Sequence, residues 1–149
     1  MKYKTKAYKV LEKMIKNAAG CLIILQSGKI LLLKRNTFSS FPLTWCVPGG
    51  VLDKNESPYE AALRETKEES NIDIGQFECS NIYNQPLIGG YDGVFTTFIF
   101  EIPQFLSEED FDVQIDQESL DWGWFTFKEM EELELHPGMY VLLDGMGVS

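Results

Sequence analysis

The chain is poor in several things at once, and each shortage excludes something. It has one histidine, His136, and three cysteines, Cys21, Cys46 and Cys79, with no Cys-x-x-Cys spacing. An odd, unspaced set of thiols is expected to stay reduced and buried, which points to the cytosol. Long apolar runs are missing: the longest, residues 18–25, is too short to span a bilayer. The lysine-rich start followed by Ala18-Ala19-Gly20-Cys21 lacks the hydrophobic stretch of an export signal, since Met14-Ile15-Lys16-Asn17 intervenes. A cytoplasmic protein without a membrane partner is therefore expected. Positive charge is scarce as well, with 13 Lys and Arg against 23 Asp and Glu and a net charge of −10. Six of the lysines lie in residues 1–16, which read as a basic N-terminal arm or short helix. The acidic remainder speaks against DNA as a partner, because sequence-independent binding needs Lys and Arg on phosphates. Internal repeats and low-complexity tracts are absent, and 149 residues is the length of one domain with a real core.

What is present is concentrated in residues 50–72, GVLDKNESPYEAALRETKEESNI. Ser57 is a good N-cap, Pro58 suits the first helical position, and Glu60 completes a capping box. Asn71 tolerates the left-handed conformation that ends helices. At roughly 100° per residue, Tyr59, Ala62, Leu63, Thr66 and Ser70 share a face expected to pack inward, with Glu65, Glu68 and Glu69 opposite. An acidic helix face is ordinarily solvated. Here it follows a Pro48-Gly49-Gly50 turn, and Glu56 stands at the helix entrance. Carboxylates converging with exposed carbonyls are the oxygen donors that a hard divalent cation needs.

The stretch resembles the Nudix box. Gly50, Glu56, Arg64, Glu65, Thr66, Glu68, Glu69 and Ile72 stand at the positions of its pattern. The sequence departs from it at Asn71, where the family has Gly, and Thr66 is a polar stand-in for an aliphatic residue. Asn55 replaces the Gly that often precedes the first Glu; Asn is the mildest substitute where positive φ is needed. The approach to the box (an apolar strand, Arg35, Trp45 and the Pro-Gly-Gly turn) is also similar to that of the family.

Several expectations follow from the resemblance. The fold is an α/β Nudix-type α/β/α sandwich around a mixed β-sheet. The activity is Mg²⁺- or Mn²⁺-dependent hydrolysis of the pyrophosphate bond of a nucleoside diphosphate linked to another moiety. Nucleoside triphosphates, nucleotide sugars, ADP-ribose and dinucleotides remain open as substrates. A Nudix-fold module that senses a nucleotide without cleaving it is the alternative. Carried over residue by residue, Glu65, Glu68, Glu69 and the Gly49 carbonyl are the metal shell. Arg64 orients a neighbouring carboxylate, Glu65 or Glu56. The general base is either Glu65 or a later loop carboxylate, for which Glu118, ahead of the strand carrying Trp122 and Trp124, is the candidate. Arg35 is a candidate for a terminal phosphate. Phe41 and Tyr91, with Phe38, Tyr83 and Trp122, are candidates for stacking on a base. Many relatives are dimers, so a homodimer is open.

Taken in order, residues 18–26 and 29–35 read as a hairpin of buried strands around Ser27-Gly28. Residues 45–48 form a short third strand delivering the Gly-Gly turn. Strands are expected over 74–83, 94–102 and 120–127, with an exposed acidic loop over 104–118. Helices are expected to start at Lys128 and near Met139, and His136 is read as a turn residue before Pro137.

Overall fold

A computed structural model describes residues 16–89 and 92–148 of the chain. The basic arm, apart from Lys16, and the stacking candidate Tyr91 lie outside the described residues. Among them, seven strands form one mixed sheet: β1 (Ala18–Ile24), β2 (Ile30–Arg35), β3 (Trp45–Cys46), β4 (Gly49–Val51), β5 (Asn81–Pro86), β6 (Val94–Glu101) and β7 (Ser119–Phe125). The main path runs β3-β2-β1-β6-β5, with β4 paired to β1 and β7 to β2. β1 and β6 are parallel, from Ala18↔Phe95 to Ile24↔Glu101, and the other pairings are antiparallel. Helix α1 (Pro58–Ser70) lies on one face, and α2 (Phe127–Met130) and α3 (Pro137–Gly145) lie on the other.

The central strands β1 and β2 are apolar on both faces because both faces are covered. Ala19, Cys21 and Ile23 pack with Ala61 and Ala62 of α1, while Leu22, Ile30 and Leu32 pack with Met130, Met139 and Leu142. No helix among the described residues is long and apolar enough to cross a membrane.

Four sequence expectations shift. Residues 49–51 are a strand as well as a turn, because Gly49 faces Gly20 across β1 with no side chain between the backbones. A Cβ on Gly49 would lie 2.7 Å from the Ala19 carbonyl oxygen and 2.8 Å from the Gly20 Cα. The strand expected over 74–83 begins only at Asn81. Ile72 and Ile74 are instead buried against α1, holding residues 74–76 in a 3₁₀ turn. The segment 104–118 is not a wholly solvated loop: Phe111, Val113 and Ile115 alternate inward onto the α1-side core. That arrangement also closes the end of α1, where the Gln114 N–H donates to the Ser70 carbonyl and the Asn71 amide to the Asp112 carbonyl. Finally, the inner face of α1 is wider than expected: Ala62, Thr66 and Ser70 are buried and Leu63 packs on the core as expected, but Ala61 and Glu69 are buried too, and Tyr59 is exposed.

Candidate active site

Both helix boundaries are set by local chemistry. The Ser57 hydroxyl accepts from the Glu60 N–H at 3.1 Å, and Glu60 accepts from the Ser57 N–H at 3.2 Å. Asn71 ends the helix in the left-handed region with φ 67°, and Asn55 occupies the same region ahead of it with φ 66°. The setting of α1 then divides its carboxylates. Glu69 is only 7% exposed, Glu65 is half-buried, and the Glu68 side chain is 54% exposed.

Arg64 organises the outer carboxylates. Its Nε and Nη2 donate to the two Glu56 oxygens at 2.8 and 2.9 Å, a bidentate pair. Nη1 donates to Glu65 Oε1 at 2.9 Å and to Glu68 Oε2 at 3.3 Å, and Nη2 reaches the Val51 carbonyl at 3.3 Å. Asp53 adds a further ion pair to Nε at 3.3 Å, a partner the sequence reading did not single out. Arg64 holds Glu56 down at about 2, and the carboxylates around Arg64 push its own pKa up. Glu65 is displaced upward: burial raises it, the Arg64 hydrogen bond opposes, and the charges of Glu68 and Glu118 add to the rise.

Glu69 is the innermost acid. Its Oε2 accepts the Gly49 N–H at 3.0 Å. Burial pushes its carboxyl up to about 9 against that hydrogen bond, with the charges of Glu65, Glu118 and Asp116 adding to the effect. One carboxylate oxygen each from Glu65, Glu69 and Glu118 lie within 4.8 Å of one another. Glu68 stands outside this cluster, facing Arg64 and solvent. Glu118 reaches it from the loop before β7, which is tied by the Asn36 N–H to the Glu118 carbonyl and the Glu118 N–H to Asp116 Oδ1. Gly50 makes room for the cluster, since a Cβ there would lie 2.6 Å from the Glu65 carboxyl carbon. Three convergent carboxylates, one buried, one half-buried and one exposed, suit a hard divalent cation, which would offset the burial and mutual repulsion that raise Glu65 and Glu69.

The cluster opens into a cleft of about 580 Å³ between the β4 end of the sheet and α3. Gly49, Glu69 and Glu118 line one part of it, and Leu87, Ile88, Phe95, Met139 and Leu142 another. Arg35 lines it too, but its guanidinium is already engaged. Nε donates to the Ser40 carbonyl at 2.7 Å, Nη2 to Ser40 Oγ at 3.0 Å, and Nη1 lies 3.9 Å from Cys46 Sγ. The loop that holds it is built on Asn36, whose Oδ1 accepts from the Phe38 and Ser39 N–H groups at 2.9 and 3.0 Å. Phe41 and Leu43 in this loop take positive φ, 49° and 63°, which costs non-glycine residues on the order of 1 kcal/mol each.

Phe41 backs the cleft wall: its ring meets the His136 ring edge-on at 4.8 Å. Phe38, at 94% exposed, is the loop aromatic on the cleft side. His136 does more than turn the chain. Its Nδ1 accepts the Gly138 N–H at 2.9 Å and caps α3. Burial and the nearby Arg35 charge depress its pKa to about 4, so it is neutral at pH 7. Tyr83 packs into the α3-side core, and Trp122 sits half-exposed on β7. The apolar part of the cleft, to which residues 85–88, Phe95, Thr97, Met139 and Leu142 contribute, was not found by sequence reasoning, because no local pattern marks it.

A mixed sheet between helices, with a carboxylate cluster where an acid-rich helix meets a Gly-Gly strand, defines an α/β sandwich of hydrolase type. The chain belongs to the Nudix family: the NUDIX domain matches residues 14–145. It is 29% identical over 109 residues to the putative 8-oxo-dGTP diphosphatase 3 of Mycobacterium tuberculosis, covering 73% of this chain and 49% of that protein. The chain thus spans about half the length of this relative. It is 29% identical over 132 residues to the asymmetrical bis(5'-nucleosyl)-tetraphosphatase of Caenorhabditis elegans, covering 87% of this chain and 93% of that one. Among solved structures, the Nudix hydrolase RenU of M. smegmatis superposes with a TM-score of 0.69 at 26% identity, over 88% of this chain and 83% of its own. The C. elegans Ap4A hydrolase in a binary complex superposes with 0.66 at 25% identity, over 87% and 95%. The mixed sheet with flanking helices is the fold of these structures.

Proposed function

We propose that this chain is a single-domain, Mg²⁺- or Mn²⁺-dependent pyrophosphohydrolase. Its substrate is a nucleoside diphosphate linked to another moiety, of the nucleoside triphosphate, nucleotide sugar, ADP-ribose or dinucleotide type. The observation that carries this reading is the Glu65–Glu69–Glu118 cluster at one part of a cleft large enough for a nucleotide. Glu65, Glu69, Glu118 and the Gly49 carbonyl are the groups suited to hold the cation, which when bound supplies positive charge against phosphate oxygens. Glu68, whose side chain is turned outward, joins them only by a rotamer change.

The remaining work falls to the chain itself, as positioning and electrostatics. Arg64 fixes the Glu65 carboxylate through Nη1 while its other nitrogens are anchored on Glu56. The Gly49 N–H fixes Glu69. Glu65 or Glu118 takes the proton of the attacking water; Glu118, on a loop and exposed, has the freer approach. Arg35, on the cleft wall, is the candidate for a terminal phosphate and would exchange its Ser40 contacts for it, Phe41 supports that wall, and Tyr91 is a stacking candidate. The three unpaired thiols support a reducing compartment, the cytoplasm. Both named relatives act by name on nucleoside polyphosphates, so these stand first in the test.

The experiment is product release from a panel of nucleoside triphosphates, dinucleoside polyphosphates, nucleotide sugars and ADP-ribose, with Mg²⁺, Mn²⁺ or chelator. Glu69→Gln runs beside the wild type. Turnover of one class is expected, absent in chelator and at least about 10²-fold slower in Glu69→Gln. The metal-free melting temperature of the variant should not fall, because the amide keeps an acceptor for the Gly49 N–H and replaces a carboxyl that burial, pushing its pKa up to about 9, already holds largely uncharged at pH 7. Ligand-induced stabilisation without turnover of any compound would replace the hydrolase by a sensing module.

A further inference from the structure

The apolar part of the cleft contains one polar anomaly. Thr97, at the centre of β6, is 1% exposed, yet its hydroxyl has no hydrogen-bond partner among the described residues. A buried hydroxyl without a partner is costly, and it calls for an explanation. Thr66 Oγ is the only other such atom among the described side chains, and it lies against the Cys21 thiol in the α1-side core. Thr97 lies away from that core. The sheet register turns it the other way: Phe98 and Phe100 face α1, whereas Phe95, Thr97 and Ile99 face α3. There Thr97 lines the cleft together with Phe95, Met139 and Leu142.

A second polar group stands on the same face. Gln85 pairs with Phe95 across β5 and β6, and its amide nitrogen donates to the Gly138 carbonyl at 3.0 Å. That bond fixes the side chain and leaves its amide oxygen without a protein donor among the described residues. An apolar slot with a fixed amide and an orphan hydroxyl fits a flat ring with a polar edge. It does not suit a phosphate or a sugar, for which cations and several hydroxyl partners are needed.

We propose that this part of the cleft is the nucleobase site of the substrate, and that the Thr97 hydroxyl reads an edge of the base. The inference rests on the nucleotide-hydrolase reading above. A threonine rotates between staggered wells without backbone movement, so its hydroxyl reaches a ligand in the cleft from where it stands. The charged end of the same ligand then extends past Gly49 to the carboxylate cluster.

Binding is measured by calorimetry with AMP, GMP, CMP and UMP, which have no pyrophosphate to cleave, and with ribose 5-phosphate, which has no base. Wild type, Thr97→Val and Thr97→Ser are compared. The wild type is expected to bind at least one nucleoside monophosphate tenfold or more tighter than ribose 5-phosphate. Thr97→Val should lose about tenfold for that nucleotide, the worth of one neutral hydrogen bond, with ribose 5-phosphate unchanged. Its melting temperature should hold or rise, since no protein partner is lost. Thr97→Ser, which keeps the hydroxyl, should retain the preference. The inference is overturned if no nucleotide outbinds ribose 5-phosphate, if Thr97→Val binds all five ligands as the wild type does, or if Thr97→Ser loses as much as Thr97→Val. Turnover of the substrate panel decides the hydrolase reading separately. A base preference lost in Thr97→Val without any turnover keeps the site and removes the enzyme; turnover with no Thr97→Val effect does the reverse.

Discussion

The two parts of the cleft are built on opposite principles. The acidic part is over-determined: Arg64 makes five polar contacts to Glu56, Glu65, Glu68 and the Val51 carbonyl, and Gly49 pins Glu69. Glu56, Glu65 and Glu69 have their directions fixed before any ligand arrives. The apolar part is under-satisfied, with Thr97 lacking a partner and Gln85 using one end of its amide. A site that must stabilise charge needs preorganised donors and acceptors. A site that must choose a ring needs empty polar positions for the ring to complete. The contrast can be broken by substitutions that disturb one part and spare the other.

The adjacent glycines offer the largest separation. Gly50→Ala puts a methyl group 2.6–2.9 Å from the Glu65 carboxylate atoms, so the side chain must leave the cluster. Turnover is expected to drop by about 10²-fold while the fold is retained, because a flexible side-chain end gives way more easily than backbone. Gly49→Ala meets backbone instead, at the Ala19 carbonyl oxygen and the Gly20 Cα. It should destabilise by about 1–3 kcal/mol through overpacking. Kinetics and urea unfolding on both variants check this. Equal loss of stability in both would mean that the Glu65 side chain yields no more easily than the backbone around Gly49.

The same contrast explains what was legible in the sequence. Residues 50–72 could be read because a helix is a local object: its cap, first turn, periodicity and end all lie within one stretch. The chain also announced β1 and β2 by their continuous apolar runs. The width of the helix's inner face was the weak point. Ala62, Leu63, Thr66 and Ser70 turn inward as their spacing suggested, but Tyr59 stays exposed, and Glu69 took a buried place because Gly49 offers it an N–H from another strand. The strand character of residues 49–51 was hidden for a related reason, since Gly-Gly reads as a turn until Gly20 is placed opposite. Phe111, Val113 and Ile115 did carry an alternation, masked by the acids around them. The apolar part of the cleft joins residues about fifty positions apart in the chain, Gln85 to Gly138 for example, and such pairs leave no spacing to find.

Arg64→Met tests how much of the acidic part is held by one side chain. It removes the bidentate partner of Glu56 and leaves Glu65 and Glu68 repelling each other. With Arg64 partly exposed, the melting temperature should fall by roughly 3–6 °C, as expected for loss of charged hydrogen bonds in a chain of this size. The acid side carries a signature of its own. Glu56 is depressed to about 2 when folded, against 4.5 ordinarily. Its contribution is therefore present above pH 4.5 and lost as pH falls through 2, so the variant should lose less stability than the wild type over that range. Base binding by AMP, GMP, CMP or UMP should be untouched. A loss of nucleotide affinity together with stability would show that the two parts of the cleft are mechanically coupled.

The smallest effect is expected at His136, which belongs to the apolar part and titrates opposite to habit. Its folded pKa is about 4 against 6.5 ordinarily, because burial and the Arg35 charge disfavour the cation. Between those values the unfolded chain binds a proton that the folded chain refuses, so stability rises with pH over this window. The contribution is complete above pH 6.5 and shrinks as pH falls toward 4. His136→Asn keeps an acceptor for the Gly138 N–H, and so keeps the α3 cap, but removes the titrating ring. At pH 7.5 its melting temperature should stay within a few degrees of the wild type, lowered only by the lost edge contact with Phe41. On acidification from pH 6.5 to 4 the variant should close that gap, since it lacks the proton-linked loss. A gap that widens on acidification would mean that the imidazole is charged in the folded protein, and that the wall facing the base is polar where the geometry makes it neutral.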